Sequence, residues 1–172
     1  FDLARKLKKN LCDIRKINNE NLVNQDIKIK QLATALFFIE NLALRVGNEK
    51  GSDEADTVGV SSLRVEHIEL LPNNIIKLDF LGKDSVRYTK KMEILNLVYN
   101  NLELFVNGKS KKDDLFDKIT PVDINGYLQN MMKGLTSKVF RTMNASKLFQ
   151  KELNKITTKF EKYEEGDKIN FM

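Results

Sequence analysis

Cys12 is the only cysteine in the chain, so no intrachain disulfide and no cysteine zinc cluster can form. A reducing, intracellular setting fits that usage. His67 is the only histidine, which excludes metal triads and catalytic sites assembled from several histidines. No apolar run approaches the roughly 18 residues read as a membrane span, so no membrane partner is expected. The opening residues mix basic and apolar side chains without the hydrophobic stretch of a signal peptide, and there is no initiator Met. The chain is therefore expected to be part of something larger. Neither internal repeats nor low-complexity tracts are visible.

What is present describes one well-buried domain. A hydrophobic content of 41% and a charged content of 31% over 172 residues are those of an ordinary soluble protein. The net charge of +5 and the pI near 9.2 lean toward an anionic partner. That lean is weak, because many proteins without nucleic-acid partners are basic.

Apolar residues keep helical spacing at Leu3, Leu7, Leu11 and Ile14, with Arg5, Lys6, Lys8 and Lys9 mostly off the stripe. The polar segment 18–25 is expected to break this helix. Asp26 is a candidate N-cap for a second helix carrying Ile29, Leu32, Leu36, Ile39, Ala43 and Val46. Phe37, Phe38, Leu42 and Leu44 extend its apolar surface beyond one face, so it should be buried. Gly47 suits the left-handed residue that ends it. The period then changes: Leu63 and Val65 alternate, as do Ile76, Leu78 and Phe80, and then Val86 and Tyr88. Pro72-Asn73-Asn74 and Gly82-Lys83-Asp84 separate the runs, which predicts a three-stranded antiparallel meander. Helical spacing returns at Ile94, Val98, Leu102 and Phe105, followed by a loop at 107–112 that its polar composition marks as mobile. Thr120, Pro121 and Asp123 form a helix start, for a helix with Ile124, Leu128 and Met131 that can stop at Gly134. Leu135, Val139 and Met143 open a short helix, and Asn144 or Ser146 could cap a last one with Phe149, Leu153, Ile156 and Phe160. The fold class is mainly α with one small sheet.

Several short motifs carry no chemistry. Gly108-Lys109-Ser110 has the end of a P-loop, but Glu103 stands where its first glycine belongs and no strand feeds it. Asp123-Ile124-Asn125-Gly126 has part of a calcium loop, but Pro121 and Met132 hold its first and last ligand positions. Asn144-Ala145-Ser146 is a glycosylation sequon without a sign of secretion. His67 is read as structural.

The informative runs are LALRVGNEK at 42–50, FLGKDSVRY at 80–88 and SKVFRTMNAS at 137–146. By position alone, Arg45 is a cation in a last helical turn, Lys83 a solvated turn residue, and Arg141 a surface helix charge. In order and separation, however, these runs resemble the catalytic Arg, Lys and Arg settings of the eukaryotic type IB DNA topoisomerases. ADTVG at 55–59, SLRVEHI at 62–68, DDLFDK at 113–118 and LARKLKK at 3–9 are also family-like, so the resemblance reaches to about Leu153.

That resemblance implies a partial catalytic core at 1–158, with 159–172 a charged tail or the start of a linker. The fold would be similar to the core shared by type IB topoisomerases and tyrosine recombinases. Arg45 and Arg141 would bind the non-bridging oxygens of a scissile phosphate, and Lys83 would protonate the leaving 5′ oxygen. Asn48, Lys50, Thr57 and Lys138 would contact DNA phosphates. Asp84 would belong to the site at which camptothecin-type poisons trap the nicked complex. No metal and no cofactor is implied. The partners would be duplex DNA and the remainder of the parent enzyme, including a C-terminal tyrosine domain, in a nuclear and monomeric protein. The family's catalytic His and nucleophilic Tyr have no counterpart here, and Tyr88, Tyr99, Tyr127 and Tyr163 do not sit in a nucleophile motif, so the chain alone is expected to be inactive. A tyrosine recombinase and a non-catalytic DNA-binding module derived from such an enzyme are the alternatives.

Overall fold

In the computed structural model, residues 2–47, 58–82 and 86–170 are described, with side chains up to residue 156. Among these residues there are five helices: α1 (Asp2–Leu22), α2 (Ile27–Leu42), α3 (Asn96–Val106), α4 (Pro121–Met131) and α5 (Ser137–Asn170). Between α2 and α3 lie strands β1 (Ile68–Leu71), β2 (Ile75–Leu81) and β3 (Arg87–Glu93), paired antiparallel in the order β1-β2-β3. The mainly α fold with a small meander is therefore present.

The helix α2 is the pillar of the molecule. Asp26 caps it, its side chain accepting the Lys28 N–H at 2.9 Å. Ala33, Ala35, Leu36, Phe37, Phe38, Ile39 and Leu42 are buried on nearly every side, and α1, α3, α4 and α5 all pack against it. A helix so enclosed can retain polar side chains only if each finds a partner. Asn101 of α3 donates to the Leu22 carbonyl at 2.9 Å and to the Thr34 hydroxyl at 3.3 Å. Asn18 of α1 donates to the Ala33 carbonyl at 3.0 Å and accepts from the Tyr127 hydroxyl at 2.7 Å. These bonds fix the rotation of the surrounding helices about α2, which apolar contact alone does not.

Five local expectations are corrected. First, α1 does not break at residue 18 but continues to Leu22, because the hydrogen-bonded amide of Asn18 lets it extend the buried stripe. Second, α2 ends at Leu42 rather than near Val46; the left-handed residue that ends it is Ala43, with φ 53°, and Gly47, also at positive φ, lies four residues further on. Third, Leu63 and Val65 lie in and beside two short 3-10 turns, Val60–Ser62 and Val65–His67, and the first strand starts only at Ile68. Val86 lies outside the strands and is 66% exposed. Fourth, no cap interrupts residues 144–146, since α5 runs through them as one helix. Phe149, at 66% exposed, and Leu153 and Ile156 face outward there rather than forming a core.

Fifth, the segment after α3 is held rather than loose. The Lys109 ammonium, whose side chain is only 17% exposed, donates to the Asp114 carbonyl at 2.9 Å, to the Leu115 carbonyl at 3.2 Å and to Asp117 Oδ1 at 2.9 Å. Asp117 also accepts from Gln31 of α2 at 2.8 Å, and Gln31 in turn accepts the Lys118 N–H at 2.9 Å. Burial pushes the Asp117 carboxyl up, but the hydrogen bonds from Gln31 and Lys109 and the Lys109 charge outweigh it and hold the group at about 2.

A carboxyl whose folded pKa lies below its unfolded value stabilises the fold above the unfolded pKa and loses that contribution as pH falls through the folded one. Asp117→Asn should therefore lower the thermal midpoint at neutral pH. The gap to the parent chain should narrow as pH drops from about 4 toward about 2, as the Asp117 carboxyl becomes protonated and its charge-dependent contribution is lost. Thermal unfolding followed by circular dichroism across that range measures it; a gap constant with pH would contradict the clamp.

Candidate active site

Beyond Ala43 the chain leaves α2 in extended form, which alternates side chains across the segment. Leu44 and Val46 are buried, and Arg45 between them is exposed. This segment is fastened from behind by backbone bonds. The Val60 N–H donates to the Arg45 carbonyl and the Ser61 N–H to the Val46 carbonyl, both at 2.8 Å. The Val58 N–H donates to the Leu81 carbonyl at the end of β2, also at 2.8 Å. The residues after Gly59 thus tie the segment bearing Arg45, and those just before it tie the end of the β2–β3 hairpin.

The crossing is closer than side chains permit. A Cβ added at Gly59 would lie 2.4 Å from both the Cα and the N of Gly47, and Gly47 itself has φ +96°. Backbone meets backbone there, so the two glycines set how deeply the Arg45 segment sits. This is the role of Gly47, in place of the helix ending expected for it.

Arg141 arrives from the other side, on the second turn of α5. Val139, Phe140 and Met143 bury the inner face of that turn and leave Arg141 half-buried at its edge. Burial lowers the pKa of the Arg141 guanidinium, and the neighbouring charge of Arg45 lowers it further. Such a group nevertheless stays protonated, so each of the two cations feels the charge of the other. Arg15, Arg64 and Arg87 hold Glu40, Glu66 and Asp79 respectively. Among the described residues no carboxylate pairs with Arg45 or Arg141. The early turns of α5 add their own positive dipole end, and Lys138 stands exposed in its first turn. Among the described residues this corner therefore carries an excess of positive charge.

The other expected residues are less available. Lys83 and Asp84 lie outside the described residues, as do Asn48, Lys50 and Thr57. The described base of the hairpin is closed by the Gly82 N–H donating to the Val86 carbonyl at 2.8 Å. Arg141 thus lies within electrostatic range of Arg45, and the hairpin base that flanks Lys83 is joined through Leu81 and Val58 to the Arg45 segment. His67 is buried in the turn before β1, where its Nδ1 accepts the Arg64 N–H at 2.9 Å and its ring meets Phe80 edge-on. It is a structural residue, as expected, though not within a strand.

One residue set aside in the sequence belongs to this corner. The side-chain amide of Asn144 donates to the Glu40 carbonyl at 2.8 Å, joining α5 to the last turn of α2. Beside it opens a cleft of about 320 Å³ between α2 and β3, lined by Arg15, Glu40, Tyr88, Lys90 and Asn144. Its signal in the sequence was only that an amide follows Arg141 by three residues, one helical turn along the same face.

Residues 1–171 match the family model of the eukaryotic DNA topoisomerase I catalytic core. The chain belongs to that family. It is 50% identical over 158 residues to DNA topoisomerase 1 of Candidozyma auris, covering 91% of this chain and 21% of that protein. Human DNA topoisomerase 1 is 47% identical over 163 residues, with the same two coverages. The human protein named DNA topoisomerase I, mitochondrial, is 45% identical over 163 residues, covering 91% of this chain and 27% of its own length. The chain therefore spans about a fifth to a quarter of the length of these relatives.

The glycine crossing can be tested on this family member directly. Gly59→Ala should destabilise the chain by about 1–3 kcal/mol, the usual cost of overpacking. Gly126→Ala, in α4 with nothing within 4 Å of the added carbon, should instead stabilise by about 0.5–1 kcal/mol. Chemical denaturation of both variants measures the contrast; equal effects would remove the argument that the crossing is sterically tight.

Proposed function

We propose that this chain is the cation-bearing part of a DNA topoisomerase that relaxes supercoiled duplex DNA without ATP. The observation that supports the reading is that Arg141 feels the charge of Arg45, with no carboxylate paired to either among the described residues. A phosphodiester under attack needs such a pair. Its phosphorane-like transition state gathers negative charge on two non-bridging oxygens, and a planar guanidinium donates to such oxygens in a matching fork.

The reaction proceeds by attack of a tyrosine oxygen on the phosphorus. Arg45 and Arg141 bind the non-bridging oxygens, and Lys83 gives its proton to the departing 5′ oxygen. The products are a 3′-phosphotyrosyl bond and a free 5′-hydroxyl. The nicked strand rotates about the intact one, and the hydroxyl then attacks the phosphotyrosine to reseal the backbone. The bond energy is retained throughout in the phosphotyrosine, so no nucleotide is consumed. Asn48, Lys50, Thr57 and Lys138 serve as phosphate contacts that set register rather than read sequence, and Asp84 lines the site of camptothecin-type poisons. The enzyme acts in the nucleus as a monomer, and residues 159–172 lead from the core toward its linker.

The tyrosine and the catalytic histidine come from the remainder of the parent enzyme. Burial raises the phenol of Tyr88, which stacks on Phe80 with ring centroids 4.9 Å apart. Burial also raises that of Tyr127, whose hydroxyl donates to Asn18, and Tyr99 donates to the Leu71 carbonyl at 2.7 Å. These three are engaged in packing, which supports a nucleophile located elsewhere.

In the full-length protein, Arg45→Ala and Arg141→Ala should each slow single-turnover cleavage by about 10²–10³, and Lys83→Ala by about 10²–10⁴. A substrate with sulfur at the bridging 5′ position leaves without needing a proton. It should restore cleavage to Lys83→Ala but not to either arginine variant; equal restoration in all three would refute the division of roles. The 172-residue chain alone should bind duplex weakly, more weakly still as salt rises, and should not relax it. Turnover by the isolated chain in a supercoil relaxation assay would overturn the assignment of the nucleophile to another segment.

A further inference from the structure

Arg141 lies within range of the Arg45 charge, and like charges push apart, so their spacing has to be maintained by the segments that carry them when no phosphate lies between them. The Gly47–Gly59 crossing and the backbone bonds to Val60 and Ser61 seat Arg45 from behind. They do not reach α5. Among the described residues, a side-chain hydrogen bond from Asn144 to the Glu40 carbonyl, at 2.8 Å, joins the Arg141 turn of α5 to the Arg45 end of α2.

Its placement suits that task. Asn144 lies one turn beyond Arg141 on the same face of α5. Glu40 occupies the last turn of α2, where backbone carbonyls lack intrahelical partners, so the bond satisfies an orphan acceptor as it sets the register of α5. Glu40 is further held through its carboxylate by Arg15 of α1. The carbonyl that Asn144 grips is thus on a residue braced from the opposite side.

We infer that Asn144 is a positioning residue for DNA cleavage, holding Arg141 at the distance from Arg45 at which both reach one phosphate. This rests on the roles proposed above for the two arginines. Asn144 touches neither DNA nor the reacting atoms; its effect passes through Arg141.

The test uses the full-length protein and compares Asn144→Leu, Asn144→Gln, Arg45→Ala, Arg141→Ala and Ser146→Ala. Ser146 belongs to the same sequon but is exposed, and its variant should behave as wild type. Asn144→Leu should slow single-turnover cleavage by about 10–100-fold, the scale of a misplaced catalytic group, with DNA affinity unchanged. Asn144→Gln keeps the donor and should recover part of the rate. On a substrate with a neutral methylphosphonate at the scissile position, the charge that the arginines meet is gone, and the Asn144→Leu penalty should shrink. If Asn144→Leu does not fold, Asn144→Ser replaces it with the same expectations.

A loss confined to DNA affinity, or a penalty equally large on the methylphosphonate, would overturn the inference and leave Asn144 a purely structural contact. Wild-type cleavage by Asn144→Leu beside inactive arginine variants would also overturn it while sparing the arginine assignment. Near wild-type rates for Arg45→Ala and Arg141→Ala would instead remove the reading on which it rests.

Discussion

Among the described residues, the charges of Arg45 and Arg141 act on one another with no carboxylate paired to either, and that is the constraint from which this part of the fold is best understood. A cation near a protein surface normally finds a carboxylate or turns into water, as Arg87 does with Asp79 and Arg64 with Glu66. Arg141 instead lies half-buried and within reach of the charge of Arg45. In the proposed reaction a phosphate would convert that repulsion into two charge-assisted forks, with little reorganisation required at the moment of reaction.

Rigidity at that corner derives from α2. Its apolar flanks are enclosed by four helices, and its few polar groups are answered by Asn18, Asn101 and Asp117. The segment that leaves α2 is then pinned by the bonds from Val60 and Ser61, and Val58 extends the same fastening to the end of β2. Catalytic geometry on an exposed loop is ordinarily loose. Here the loop bearing Arg45 is short, extended and locked against a glycine-to-glycine backbone contact, which gives it the precision of a core element.

Periodicity revealed much of this and missed particular things. The stripes of α1 and α2, the Asp26 and Thr120 caps, and the meander were visible because each follows from local spacing or capping chemistry. The end of α2 was misplaced because Gly47 offered an obvious left-handed residue, whereas Ala43 adopts that conformation and the following backbone is held extended by residues some fifteen positions away. The continuous α5 was divided in two because Asn144 has the chemistry of a cap, yet its amide is engaged across the helix pair. Both errors arise from tertiary bonds, which leave no local signature. The candidate arginines were recognised through family resemblance rather than residue type, since three cations among 29 basic residues carry no mark of their own. What the structure adds is that Arg141 lies within range of the Arg45 charge.

The central claim is that Arg45 and Arg141 share a single anion. Guanidinium NMR of the nitrogen-labelled chain, titrated with a short duplex at low salt, tests it most directly. The account predicts that the Arg45 and Arg141 side-chain signals shift together along one saturation curve, and that substituting either arginine abolishes the shift of the other. Independent curves, or movement of one signal with the other silent, would contradict it.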